Sequence, residues 1–106
     1  MPDMPGRWRV TTTAVECTSA GDGWTCSVLV DDPDGSSTSH EVRVTRADLE
    51  RFAPGADDPA DLVRRSFAFL LAREPKESIL RSFDLPLIGR YFPEYEREIR
   101  RGSTPP

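Results

Sequence analysis

At 106 residues, with 37% apolar and 30% charged side chains, ten prolines and seven glycines, the chain suits one domain with a modest core and many turns. A net charge of −4 argues against the basic footprint that a nucleic-acid surface requires. No apolar run approaches the ~20 residues of a membrane span and no apolar signal segment follows Met1, so the expected location is the cytoplasm.

Charge is placed unevenly. Residues 1–45 are acidic, with Arg7, Arg9 and Arg43 as their only cations, whereas residues 46–106 are close to neutral. Arginine greatly outnumbers lysine, which points to a GC-rich bacterial genome. Cys17 and Cys26 are the only cysteines and His40 the only histidine, too few for a zinc set, and no cofactor or metal is expected. In a reducing compartment the two cysteines are expected as free thiols that pack like small apolar residues; a disulfide across the first hairpin is the alternative.

In chain order, residues 1–6 and 102–106 read as flexible ends, 7–45 as a β-meander and 46–101 as a helical part of a single domain spanning 1–106. Arg7–Cys17 is rich in β-branched residues, with Trp8, Val10, Thr12 and Ala14 on one parity, which leaves Val15 and Cys17 for the outer face. Thr18–Gly23 is a turn. Trp24–Val30 alternates cleanly, with Trp24, Cys26, Val28 and Val30 facing inward and Leu29 outward. Asp31–Ser37 carries the strongest turn signal, Pro33 and Gly35. Ser39–Thr45 alternates again, with His40, Val42 and Val44 inward. Pairing Val28 with Val42 and Val30 with His40 keeps apolar faces together and implies a loop of about Asp31–Ser39.

Arg46–Phe52 has helical spacing with Thr45 as cap. The clearest helix follows: Asp58 caps it, Pro59 opens it, Asp61 favours its positive end, and Val63, Phe67, Leu70 and Leu71 form one stripe that Pro75 ends. Burying Phe67 against Val28, Val42 and Val44 should contribute about 1.5–3 kcal/mol. From Pro75 a further helix through Phe83 is expected, apolar at Ile79, Leu80 and Phe83. Asp84 and Pro86 should start another holding Leu87, Ile88 and Tyr91, and Pro93 a last one, acidic first and basic at Arg100 and Arg101, stopping at Gly102. The fold class is therefore α+β: an N-terminal three-stranded antiparallel β-meander, then three to five short helices packed on one sheet face.

The run EPKESILRSFDL followed by IGRYFPEY, with DLVRRSFAFLLAR before it, resembles the C-terminal segment of small bacterial proteins of actinobacterial type over residues 61–96. The resemblance implies a bacterial cytosolic domain and brings no activity, ligand or catalytic residue with it.

Sites of chemistry are few. Phosphate-loop and dinucleotide motifs are missing. Cys26 and His40 could meet across strands two and three, although filling the inner face and its rim explains both, and a position beside a turn leaves His40 partly exposed. Lys76 and Ser78 diverge by about 200° if helical, which disfavours a Ser–Lys pair and favours a capping role. Asp57, Asp58 and Asp61 are explained as a helix start. Arg90, Arg97, Arg100 and Arg101 beside Tyr91, Phe92 and Tyr95 could contact nucleic acid, but Glu94, Glu96 and Glu98 interleave and repel phosphate. The density of apolar residues in Glu74–Tyr95 makes a non-catalytic protein-interaction or self-association module the favoured function, with an unknown protein or a second copy as partner. The candidate interface is Ile88, Tyr91, Phe92 and Tyr95 with Arg90 and Arg97. A nucleic-acid-binding or regulatory factor using the Arg-rich last helix is the alternative, and a small enzyme the third reading.

Overall fold

Three long antiparallel strands open the fold, β1 (Thr12–Ala20), β2 (Gly23–Asp31) and β3 (Ser37–Thr45). The computed structural model describes residues 11–103; Trp8, Val10, the first six residues and the last three, for which expectations were stated above, lie outside it. Helices α1 (Arg46–Phe52) and α2 (Pro59–Leu71) follow, then a 3-10 turn at Lys76–Ser78, a short strand β4 (Ser82–Asp84), and helices α3 (Leu87–Tyr91) and α4 (Tyr95–Ser103). The chain is thus α+β with a four-stranded mixed sheet in the order β1-β2-β3-β4, in which β4 runs parallel to β3. Among the described residues no helix is long and apolar enough to cross a membrane.

Inner and outer faces follow the alternation in β2 and β3: Cys26, Val28, Val30, His40, Val42 and Val44 are buried, and Leu29 looks outward. Register differs from the expectation by two residues, since Val28 stands opposite His40, Cys26 opposite Val42 and Val30 opposite Thr38. A two-residue slip preserves every face, so hydrophobic pattern alone does not exclude it. The turn decides: Asp32 N–H donates to Ser36 O at 2.9 Å and Gly35 N–H to Asp32 O at 3.0 Å, with Gly35 at φ 92°. The loop shrinks to residues 32–36.

In β1 the expected facing is reversed. Val15 and Cys17 pack against the core, whereas Thr12 and Ala14 are exposed. A two-residue turn at Gly21–Asp22 pairs Ala20 with Gly23, which fixes Val15 opposite Val28 and Cys17 opposite Cys26. Gly23 must be glycine, because a Cβ there would sit 2.2 Å from the Val44 carbonyl oxygen. The two cysteines are joined as a disulfide rather than free, their Cα atoms 3.9 Å apart across the first hairpin.

Thr45 caps α1 in a reciprocal box, accepting from Asp48 N–H while the Asp48 carboxylate accepts from Thr45 N–H, both at 3.0 Å. Asp58 caps α2 by accepting from Ala60 N–H at 2.9 Å, with Pro59 at the first position. The buried stripe of α2 is Leu62, Val63, Ser66, Phe67, Phe69 and Leu70. Phe67 is the meeting point, its ring 5.2 Å from His40 and 6.3 Å from Phe83.

The helix expected over Pro75–Phe83 is replaced by the 3-10 turn and β4. Leu85, which precedes Pro86, is biased away from helical φ/ψ, and its N–H instead donates to Arg43 O at 2.9 Å. At the other end Glu41 N–H donates to Arg81 O at 2.7 Å, closing a parallel ladder. Asp84 does not cap α3; it accepts from Arg43 Nε at 2.6 Å across the sheet surface. Helix α4 runs past Gly102, the expected stop, to Ser103.

Candidate functional site

Glu74–Tyr95 divides into residues that complete the core and residues that border a groove. Ile79, Phe83, Leu85, Ile88 and Tyr95 are buried. Leu80 and Tyr91 are 48% and 66% exposed and, with Leu29, are the large apolar residues left open among those described. Between them lies an open groove of about 450 Å³, walled by Leu70 of α2, Ile79, Phe83 of β4, Leu87 and Ile88 of α3, and Phe92, with Glu74 and Ser78 at its polar side. Its volume lies within the ~300–1,000 Å³ typical of binding pockets. The β4 excursion creates it: the chain returns to the sheet for three residues and leaves Leu80 outside the core.

The six candidate interface residues separate accordingly. Tyr91 and Phe92 border the groove, as does Ile88 from its floor, where it is buried. Arg90 and Arg97 are exposed but do not line it. Tyr95 is completely buried and is a core anchor. Its hydroxyl lies 2.7 Å from Ser66 Oγ, which itself donates to the Leu62 carbonyl at 2.8 Å, so Tyr95 is the donor to Ser66. Burial pushes the Tyr95 phenol well above its ordinary range. The ring packs 5.3 Å from both Phe52 and Phe69, and Phe92 meets Phe69 edge-on at 5.8 Å. Arg73 lies 3.6 Å above the Phe69 ring and reaches Glu94 at 3.2 Å, pinning α4 to the end of α2.

Two other constellations are accounted for structurally. Lys76 is 3% exposed, and its Nζ donates to Asp32, to Ser36 Oγ at 2.7 Å and to Glu77 at 2.7 Å. Asp32 first, then Glu77, hold the ammonium protonated far above the ordinary lysine range. Lys76 therefore clips the β2–β3 loop to the 3-10 turn, not the helix-capping role expected of it, and it is no base for the neighbouring Ser36. Nothing in the local pattern announced this, because Asp32 and Lys76 are 44 residues apart. His40 is buried rather than partly exposed. Its Nδ1 donates to the Leu80 carbonyl at 2.7 Å and its Nε2 lies 2.8 Å from Thr38 Oγ1, tying β3 to the segment before β4. Cys26 is bound to Cys17 and faces Val42, so no cysteine–histidine pair forms. Among the described residues no group of three or more His, Cys, Asp or Glu could hold a metal ion.

On α4, Arg100 donates to Arg51 O at 3.0 Å and lies 3.8 Å from Glu96, whose other oxygen accepts from Arg51 at 2.6 Å. Arg100 of the last helix thus shares Glu96 with Arg51. Comparison of the chain with protein-family models, curated proteins and solved structures gives no match.

Proposed function

We propose that this protein is a non-catalytic binding module that engages another protein through the groove between Leu80 and Tyr91. The observation that carries this reading is the exposure of two large apolar side chains on the rim of a concave, mostly apolar surface. Aromatic and aliphatic anchors beside a pocket are the usual substance of an interface hot spot. The histidine, cysteines and lysine that could have served an enzyme are each engaged in holding the fold. An expected cytoplasmic setting sits poorly with the Cys17–Cys26 bridge, since reducing compartments keep such thiols free; the binding reading is independent of it.

The test is selection of peptides from a displayed random library against the whole chain, followed by amide-shift mapping of the winners. Selected peptides should perturb Leu80, Leu87 and Tyr91, and a Leu80→Ser/Tyr91→Ser variant should lose them while melting at nearly the same temperature. Failure to select any peptide, or perturbations confined to another face, would overturn the reading. Light scattering over a range of concentrations covers self-association: a dimer broken by the same double variant makes the partner a second copy.

A further inference from the structure

The groove wall holds a carboxylate and no cation. Among its lining side chains Glu74 is the one Asp, Glu, Lys or Arg. The cations nearest to it in sequence are committed elsewhere: Arg73 to Glu94 and the Phe69 ring, Lys76 to Asp32 and Glu77. Among the described residues no ion pair or hydrogen bond reaches the Glu74 carboxylate. Arg81, beside Leu80, lines the depression on the outer sheet face instead. A purely apolar or an acidic occupant would take Glu74 out of water without compensation, and an uncompensated carboxylate is costly to desolvate. A cationic occupant removes that penalty.

We propose that the groove recognises a segment of a partner protein in which a large apolar residue stands next to arginine or lysine. The apolar side chain enters between Leu80, Leu87 and Tyr91, and the cation meets Glu74. This rests on the groove being the docking surface and adds the charge of its partner. Glu74 is then the residue that sets specificity, while the apolar walls supply most of the affinity.

Fluorescence anisotropy on the whole chain tests it with two labelled twelve-residue peptides, one carrying Arg-Leu-Leu-Trp-Arg in a Gly-Ser frame and the other with both arginines replaced by glutamate. The arginine peptide should bind about tenfold more tightly, the difference between one favourable and one unfavourable partly exposed charge pair. Glu74→Lys should erase or invert that preference, and Glu74→Gln should reduce it, with the melting temperature of both variants held. Equal binding of the two peptides, abolished by Leu80→Ser/Tyr91→Ser, overturns the charge assignment and leaves the groove reading standing. Absence of binding by both overturns the two together. Because Arg7-Trp8-Arg9-Val10 has the same chemistry in this chain, Trp8→Ala is titrated in parallel. A gain of more than about threefold in that variant identifies the chain's own segment as an intramolecular competitor and overturns the assignment to a partner.

Discussion

Lys76 is the only lysine in the chain, and it is among the few buried polar residues. Its bond to Asp32 is the first cause holding that carboxyl below the usual carboxylate range, with the Thr11 hydroxyl, 2.7 Å from the other oxygen, second. The two shifts act on opposite sides of neutrality. A depressed carboxylate contributes stability above its unfolded value of about 4 and loses it as pH falls through the depressed one. A raised lysine contributes fully below its unfolded value of about 10.4 and loses that as pH rises through the raised one. The pair should therefore leave the melting temperature flat from about pH 5 to 10 and steepen its fall in acid. Lys76→Met should melt lower than the parent near neutrality and show a shallower acid limb, checked by melts across pH 2–8 of about ten points. Identical acid limbs would remove the clip as a source of stability. Sequence reading could not find this pair, because a contact between a turn and a loop 44 residues away leaves no period in the chain.

At the scale of elements, β2, β3, α1 and α2 were legible because each buries one continuous stripe and carries its own start signal, as Thr45 and Asp58 do. The antiparallel pairing of β1 with β2 was legible as well, but the facing of β1 was not, since its apolar residues are sparse on both parities and only the turn at Gly21–Asp22 settles the face. Once Cys17 lies opposite Cys26 the bridge closes a loop with a sequence separation of 9. Loop-closure entropy for so short a ring contributes roughly 2–3 kcal/mol. Reduction, or a Cys17→Ser/Cys26→Ser variant, should lower the stability measured by urea unfolding by that amount or somewhat less, because strand pairing already orders the hairpin. An unchanged midpoint after full reduction would show that the pairing alone holds β1 in place. β4 escaped recognition for a different reason. Three residues are too few to show alternation, and Ile79, Leu80 and Phe83 imitate the spacing of a helix face.

For the molecule as a whole, Phe67 joins the sheet, through His40, to β4, through Phe83, from the middle of α2. Truncating such a fully buried ring costs roughly 3–5 kcal/mol, a large part of the ~5–15 kcal/mol that holds a domain together. Phe67→Ala should accordingly populate the unfolded state in mild urea at room temperature. A loss under about 1 kcal/mol would mean that the core repacks around the gap. Composition, alternation and helix stripes determined the α+β class, the inward faces of β2 and β3, the first two helices and the location of surplus apolar residues in Glu74–Tyr95, because burial of one face is a local pattern. Tertiary structure alone decided the register, the fourth strand, the Cys17–Cys26 bridge and the fate of each surplus residue. Whether an apolar side chain completes the core, as Tyr95 does, or borders a groove, as Tyr91 does, depends on what packs against it from elsewhere in the chain.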